Sequence, residues 1–308
     1  TIMGLLANYP IALAPGMGLN AFFAYTVVLQ MGYSYEFALC AVLIEGLVFI
    51  LLTITNVREK IINCIPTVLK HAVTAGIGLF IAFIGLINAG VVEGGGAILQ
   101  LGNMKNPSVI LAIIGLIIAG ILLAKNVKGT FLLAMLITTA IGIVGGIVQI
   151  PSAIVSSVPS LKPIFMKALS VPTAQIFSLD MLVVVFTFLF VDLFDTVGCL
   201  VGVASKGNML DENGKLPNAK QALFADAIGT TVGALLGTSN VTTYVESSVG
   251  IEAGGRTGLT AVSAAICFGL SLFLAPLVSC VPMAAIAPIL IFVGLSMIEN
   301  VAKIDWKD

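Results

Sequence analysis

The chain of 308 residues is 59% hydrophobic and only 9% charged, and its mean hydropathy is +1.14. Soluble domains carry about 25% charged residues, so this composition excludes an ordinary soluble protein and indicates an integral membrane protein. The formal net charge is −1 and no basic patch is visible, which argues against a nucleic-acid partner.

Runs of about 20 apolar residues recur along the chain, and each is long enough to cross a bilayer as a helix. They predict an all-α polytopic membrane protein with the lipid bilayer as its surroundings. The predicted helices are 36–55, 72–92, 108–124, 130–150, 177–203, 220–236, 258–281 and 283–299, with a partial helix at 1–9.

Two segments, 14–31 and 237–256, interrupt this pattern with Gly, Pro, Asn, Ser and Thr, and each precedes a long apolar helix. Irregular polar backbone survives at membrane depth only where protein surrounds it or water fills an adjacent space. The second segment also carries Glu246, Glu252 and Arg256, so we expect it to line a cavity. Paired interrupted segments indicate a transporter binding site built from inverted repeats.

The distribution of Lys and Arg favours a membrane crossing by both interrupted segments. With both crossing, 11 of the 14 Lys and Arg residues fall on one side, whereas a surface loop at 237–256 would give 8 and 6. Excess positive charge marks cytoplasmic loops. The crossing arrangement therefore makes Arg58–Lys70 and Lys206–Lys220 cytoplasmic, and the Pro-rich piece Pro151–Pro172 extracellular.

The predicted helix 177–203 carries Asp192 and Asp195, three residues apart and hence on neighbouring positions of one face. A carboxylate in the hydrocarbon costs about 2.5–3.5 kcal/mol on insertion scales, so it normally faces the interior of the helix bundle. Gly198 and Gly202 continue the Asp195 face, where a ligand or another backbone could approach. Either aspartate could instead have a structural role, capping or pairing with a neighbouring helix. Of the two, Asp195 is the stronger candidate for a functional residue.

The remaining intramembrane acids divide into functional and structural candidates. Glu246 is expected to be functional, like Asp195. Glu45 is expected to bond a neighbouring helix, and Glu252 to pair with Arg256. The five cysteines stand singly, without the spacing of a metal site, so neither a metal nor a cofactor is predicted.

The first interrupted segment offers polar and aromatic groups to a ligand. Gly16 and Gly18 let the backbone approach closely, and Asn20 has both an amide donor and an acceptor. Phe22 and Phe23 present flat apolar faces, which either pack in the core or cover a planar ligand.

Three motifs resemble the nucleobase–ascorbate transporter (nucleobase:cation symporter) superfamily, and within it the AzgA-like branch of adenine, guanine and hypoxanthine permeases. They are GMGLNAFFAYTVV at 16–28, FVDLFDTVG at 190–198 and TSNVTTYVESSVGIEAGGRTG at 238–258. The resemblance implies an inverted-repeat (7+7) transporter fold with a core domain and a gate domain, located in the cell membrane, and makes a homodimer plausible. It also implies that the third and tenth segments are each a short strand plus a half-helix, with the substrate held between them.

The family pattern gives an expected domain layout. On this pattern, 1–205 covers the end of segment 2 through segment 7 plus segment 8, 206–219 the cytoplasmic connection, and 220–308 segments 9–12. The core domain is expected mainly from 1–55 and 177–281, and the gate domain from 72–150 and 283–299. The first segment, most of the second and the last two fall outside the sequence, so we expect a chain truncated at both ends.

Residue by residue, the resemblance places the substrate on Asn20 of the third segment (Ala14–Met31), Asp195 of the eighth and Glu246 of the tenth (Ser239–Ala253). The acid at 195 is aspartate, as suits the AzgA-like branch, and reaches less far than the glutamate of uracil and xanthine carriers. The other expected substrate-binding residues are Phe22, Phe23, Tyr244 and Val245. Asp195, Glu246 and Asp192 are the candidate proton carriers, because burial favours the protonated form of a carboxyl group.

The sequence hypothesis is thus a secondary active transporter, not an enzyme, that imports purine nucleobases by proton symport with alternating access. The order of preference among purines, and Na⁺ in place of the proton, stay open at this point. One alternative is an anion carrier for sulfate or bicarbonate, which half-helix N-termini would favour and the two acids would repel. Another is a Mg²⁺-dependent intramembrane transferase, which needs more carboxylates than the single D-x-x-D of Asp192 and Asp195.

Overall fold

The computed structural model describes residues 1–58, 60, 67–95, 98–150, 153–211, 216–244, 246–298 and 301–302. The chain divides into two compact units, one made of Thr1–Val73 and Ser160–Gly269 and the other of Thr74–Pro159 and Leu270–Asp308. The assignment of core and gate domains to stretches of the chain stays a prediction.

The first unit contains the two interrupted segments and the helices around them. A π-helical turn covers Met3–Ala7, strand β1 Leu13–Pro15 and helix α1 Met17–Ala21, which continues as a π-helix over Phe22–Gln30. After these come α2 (Tyr35–Ile54), the first turns of α3 (Thr67–Asn88), a 3-10 turn at Lys167–Leu169, α6 (Thr173–Ile176), α7 (Leu179–Lys206) and α8 (Ala219–Leu236). Strand β4 (Val241–Thr243), α9 (Ser247–Glu252) and most of α10 (Gly258–Ser271) complete the unit.

The second unit contains most of α3 and the hairpin of β2 (Val92–Gly95) and β3 (Ile98–Leu101). It also contains α4 (Pro107–Ala124), α5 (Thr130–Val144), a 3-10 turn at Leu272–Leu274, α11 (Ala275–Ser279) and α12 (Met283–Ile298). Helix α12 packs against α4 and α5. It also crosses α3 where Gly78 meets Gly294, a contact so close that a side chain at either position would overlap backbone.

The apolar face of α2 forms the centre of the first unit. Its residues 37–43 are buried against α7, α8 and the π-helical part of the first interrupted segment. The helix begins at Ser34, whose hydroxyl accepts a hydrogen bond from Phe37 N at 3.2 Å, as an N-cap does. Gly46 allows α8 to approach, because a Cβ there would lie 2.9 Å from Thr231 N. The helices are therefore close enough for polar groups on α2, α7 and α8 to meet.

The two interrupted segments have the expected strand-plus-half-helix form. Strand β1 pairs antiparallel with β4 in the register Leu13↔Thr243, Ala14↔Thr242 and Pro15↔Val241. Each strand is followed within a few residues by a helix, α1 after β1 and α9 after β4. Two strands separated by more than 200 residues thus share one small sheet in the interior of the first unit.

The predicted helices are confirmed in place, with several differences in their bounds. Helix α3, predicted over 72–92, spans Thr67–Asn88 and ends before Gly90, which has a φ of 71°. Helix α5 ends at Val144, not at 150, because Gly145 and Gly146 follow and Gly146 has a φ of 69°. The predicted helix 258–281 breaks at Leu272–Leu274, before a helix with Pro276 in its first turn. The hairpin β2–β3 was not predicted, so the all-α expectation is wrong for residues 92–101.

Four of the described helices are long and apolar enough to cross a membrane. They are Tyr35–Ile54, Pro107–Ala124, Leu179–Ala204 and the combined span Gly258–Ser279, and shorter apolar helices stand beside them. These spans confirm the helical membrane class. The inverted repeat of seven plus seven segments stays a prediction.

Candidate functional site

The crossing of β1 and β4 is fixed by hydrogen bonds beyond the sheet itself. Gly16 N donates to Asn240 O at 3.2 Å, and Tyr244 N donates to Ala12 O at 3.1 Å. The Tyr244 hydroxyl donates to Pro15 O at 2.8 Å, so this predicted substrate residue fastens one strand to the other. Both half-helices therefore start from a rigid support.

Asp195 on α7 lies where the two interrupted segments meet. A Cβ built on Gly16 would be 3.6 Å from Asp195 Oδ2 and would overlap the Thr242 methyl group. Gly16 is therefore required for the close approach of β1 to Thr242, whereas Asp195 would stand at ordinary contact distance from a side chain there. The Cys199 thiol donates to Asp195 Oδ1 at 3.7 Å from one turn further along α7. Asp195 as a whole residue is only partly buried.

Only part of the Asn20 side chain is free to bind a ligand. Its Oδ1 accepts a hydrogen bond from the Ser239 hydroxyl, so this oxygen is already used within the protein. Asn20 N donates to Gly16 O at 2.8 Å, which places Asn20 one turn beyond the Asp195 contact. The Nδ2 donors are therefore the part of Asn20 that a bound base could use.

The two phenylalanines after Asn20 pack against α7. The Phe22 and Phe188 rings meet edge to face with centroids 5.0 Å apart. Phe23 is buried, 5.7 Å from the Tyr35 ring and 6.5 Å from Phe188 between centroids. Both rings thus belong to the apolar cluster around α2, and the role of either ring in covering a ligand stays a prediction.

Glu246 opens onto a cavity of about 390 Å³. Tyr244 and Ser247 line this cavity on one side, and Thr260, Cys267 and Phe268 of α10 line it on the other. Its volume lies within the range of small-molecule sites, roughly 300–1,000 Å³. Asn20 and Asp195 do not line the cavity. A single substrate site formed by Glu246, Asp195 and Asn20 therefore stays a prediction.

Two sequence expectations lie outside the described part of the chain. Val245, predicted to bind substrate, is not among the described residues, and nor is the side chain of Glu252. Arg256, the expected partner of Glu252, donates from Nη1 to the carbonyl groups of Ile251 and Gly255, the latter at 2.8 Å.

Asp192 belongs to a buried polar network behind this site. The Thr196 hydroxyl lies 3.1 Å from Asp192 Oδ1, 3.2 Å from Asp226 Oδ1 on α8 and 2.9 Å from the Thr242 hydroxyl. All four side chains are buried, at 0–1% exposure. A threonine hydroxyl has one hydrogen to donate. The Thr196 hydroxyl group therefore links α7, α8 and β4, but at any moment it can donate its hydrogen bond to only one of the two carboxyl groups.

Arg58 supplies the positive charge of the network. Its Nη2 lies 2.9 Å from Asp226 Oδ2, its Nη1 donates to Leu223 O at 3.0 Å, and its guanidinium carbon lies 3.8 Å above the Phe49 ring. The cytoplasmic side assigned to Arg58 from the sequence stays a prediction. Its side chain is fully buried and joins the end of α2 to α8.

Glu45 of α2 was expected to form a hydrogen bond with a neighbouring helix, and this prediction was wrong. Its carboxyl group accepts a hydrogen bond from the side-chain amide of Asn240, in the interrupted segment just before β4. Both side chains are fully buried. Sequence reasoning passed over Asp226 as well, although an acid inside the predicted helix 220–236 is the same signal that singled out Asp192 and Asp195.

Comparison with known proteins identifies the family of the chain. The Permease family profile for xanthine and uracil permeases matches residues 1–308. The chain is 48% identical over 306 residues to the guanine/hypoxanthine permease PbuG of Bacillus subtilis, covering 99% of this chain and 69% of that protein. It is 43% identical over 308 residues to the adenine permease AdeP of Escherichia coli, covering 100% and 68%.

A solved structure shows the same fold at lower sequence identity. The transmembrane domain of a cyanobacterial bicarbonate transporter, BicA, superposes with a TM-score of 0.71 at 20% identity, covering 99% of this chain and 80% of that one. At this identity the likeness shows the fold alone. The family match and the relatives named as permeases also exclude the intramembrane transferase. The chain therefore belongs to the xanthine/uracil permease family of nucleobase permeases, as a multi-pass transporter of the cell membrane and not an enzyme.

Proposed function

We propose that the protein imports purine nucleobases by proton symport with alternating access. The observation that carries this proposal is the position of Asp195 at the crossing of two broken membrane segments, against Gly16 and Thr242. Relatives named as guanine/hypoxanthine and adenine permeases, at 48% and 43% identity, support purines as the substrate class.

The side chains at the crossing suit an uncharged planar base. A purine presents ring N–H groups, which Asp195 and Glu246 can accept, and ring nitrogens or a carbonyl oxygen, to which Asn20 Nδ2 can donate. Phe22 supplies an apolar edge beside the α7 aromatic residues. Tyr244 holds the strands in register, and Val245 is a proposed contact of the base. A fixed scaffold with a few convergent polar groups is what small-molecule sites share.

A proton on one acid would couple uptake to the proton gradient. Asp195, Glu246 and Asp192 are the proposed carriers. A protonated carboxyl group has a donor as well as an acceptor for the edge of a base, so a proton and a base bind more readily together than either does alone. We also propose a homodimer, as the family resemblance suggests.

Uptake of labelled hypoxanthine by cells or proteoliposomes tests the proposal. We expect unlabelled adenine, guanine or hypoxanthine to compete, and sulfate or bicarbonate to leave uptake unchanged. Asp195→Asn and Glu246→Gln should abolish uptake at normal membrane expression, whereas the matched exposed variant Glu93→Gln should not. Competition by sulfate in place of the bases would support the anion carrier and overturn the proposal, and undiminished uptake by both acid variants would refute the site.

A further inference from the structure

The Glu45–Asn240 pair has unused hydrogen-bonding capacity that the proposed substrate site does not explain. Glu45 Oε2 accepts from Asn240 Nδ2, but Glu45 Oε1 and Asn240 Oδ1 have no hydrogen-bond partner, although both side chains are 0% exposed. Asp192 Oδ2, also fully buried, is likewise unpartnered. Buried polar atoms are nearly always paired in native proteins, so unpaired oxygens on three fully buried side chains require an explanation.

The charges of the network point to a missing positive species. The groups that act on Glu45 are Asp192 on α7, Asp226 on α8 and Arg58 beyond the end of α2. Of the described residues, Arg58 alone brings a positive charge to this network, and its ion pair is made to Asp226. Ionising all three acids would bury two uncompensated negative charges, at a large desolvation cost.

Among the residues whose side chains are described, the other lysines on elements packed against α2 stand at its two ends. Lys220 of α8 donates to Ile54 O at 3.4 Å. Lys167, on the 3-10 turn, pairs with Glu36 at the opposite end of the helix. The π-helical segment Phe22–Gln30 contains no Asp, Glu, Lys or Arg. A proton on a carboxyl group is the species that removes one charge and turns an unpaired acceptor into a donor.

The pair offers two complementary hydrogen-bonded states. With Glu45 ionised, the amide Nδ2 of Asn240 donates to Oε2, as the structure shows. With Glu45 protonated, its O–H donates to Oδ1 after a half-turn of the Asn240 amide. Binding of the proton forms the Glu45 O–H bond and release breaks it, so the proton passes through with no other reactant.

Asn240 connects this pair to the crossing strands. Its backbone carbonyl accepts the hydrogen bond from Gly16 N, the residue that lies against Asp195. Val241, the next residue, pairs with Pro15 in the sheet. Asn240 is therefore adjacent to the paired strands β1 and β4, from which both half-helices start. A change in its side chain could be transmitted directly to this sheet.

We propose that Glu45 is a proton-binding site of this transporter, separate from the substrate-contacting acids, and that Asn240 transmits its protonation to the crossing of β1 and β4. The coupling role rests on the proposed proton symport. The binding of a proton by Glu45 does not rest on it, and the two are measured separately.

Infrared difference spectroscopy of the purified full chain during a pH titration measures the proton directly. We expect a protonated-carboxyl band in the wild-type protein that Glu45→Gln removes and Glu93→Gln retains, Glu93 being exposed. If Glu45→Gln fails to fold, Asn240→Ala serves instead. Loss of the Asn240 amide should change the pH midpoint of the infrared band if that band belongs to Glu45, and should leave the midpoint unchanged if the band belongs to a remote carboxyl group. An unchanged spectrum in Glu45→Gln, or an unchanged midpoint in Asn240→Ala, overturns the proposal.

Proteoliposomes then test the coupling. For one proton per base, a gradient of one pH unit gives about tenfold accumulation of labelled hypoxanthine. We expect Glu45→Gln to exchange external for internal hypoxanthine within about threefold of the wild-type rate, and to lose the tenfold accumulation. Accumulation equal to wild type overturns the role of Glu45 in coupling. Absence of accumulation in the wild type would overturn the proposed symport while leaving the infrared result to decide the proton site.

Discussion

Replacement of Arg58 by methionine tests the buried network through stability. The substitution keeps an apolar side chain against Phe49, but it removes the Nη2–Asp226 ion pair at 2.9 Å and the hydrogen bond to Leu223 O at 3.0 Å. Breaking a buried ion pair by removing one partner costs about 3–5 kcal/mol, because the other charge is left uncompensated. A lost hydrogen bond to a carbonyl group adds about 1 kcal/mol.

The expected loss is therefore about 4–6 kcal/mol in the free energy of unfolding, measured for purified protein in detergent micelles by denaturant titration. A second substitution, Asp226→Asn, removes the stranded charge and should recover at least ~2 kcal/mol in the Arg58→Met background. The control is Lys167→Met, which breaks the exposed pair with Glu36, where N and O are 3.9 Å apart. Exposed pairs contribute about 0–1 kcal/mol.

The result that refutes this reasoning is an Arg58→Met protein as stable as the Lys167→Met control. Failure of Asp226→Asn to recover any stability would also count against it, since the damage would then not arise from an unpaired carboxylate. Either result would mean that Arg58 and Asp226 do not anchor α2 to α8 as the structure shows.

Gly16→Ala should reduce hypoxanthine uptake at least tenfold, because its Cβ would overlap the Thr242 methyl group. Adding Thr242→Ser to this variant should restore part of the rate, and the control Gly202→Ala, in open space, should have no effect. Equal uptake by all variants would contradict the close approach of Gly16 to Thr242. Cys267 is exposed and lines the cavity beside Glu246, so saturating hypoxanthine should slow its reaction with a maleimide several-fold, while the half-exposed Cys280 reacts unchanged. An unprotected Cys267 would indicate that the base binds elsewhere. Uptake into proteoliposomes should rise as the external pH falls at constant internal pH, and a rate that responds only to a Na⁺ gradient would replace the proton as the coupling ion.

Sequence reasoning reached the helical membrane class and the two interrupted segments because both depend on local composition. The strand pairing of Pro15 with Val241 could be expected only through the family resemblance, since three-residue strands have no periodic signal of their own. The pairing of Val92–Gly95 with Ile98–Leu101 was missed for the same reason: each strand has only four residues, and two of those in the first strand are glycine.

The buried network was beyond sequence reasoning because it depends on which helices pack together. Arg58 follows an apolar helix, a position typical of a cytoplasmic loop, and only the approach of α8 turns it into the buried partner of Asp226. Asp226 itself could have been identified by the rule that found Asp195, since it stands within a predicted membrane helix. The pairing of Glu45 with Asn240 joins residues 195 positions apart, and no spacing along the chain indicates it.

Equilibrium binding of labelled hypoxanthine to the purified protein tests the central claim most directly, because it does not depend on coupling or on membrane energetics. A hydrogen bond to a charged acceptor is worth about 1.5–3 kcal/mol, so Asp195→Asn and Glu246→Gln should each weaken binding by about 10- to 100-fold. Glu93→Gln, an exposed residue of the second unit, should bind as the wild type does. Wild-type affinity in both acid variants would contradict a substrate site at the crossing of the two broken segments.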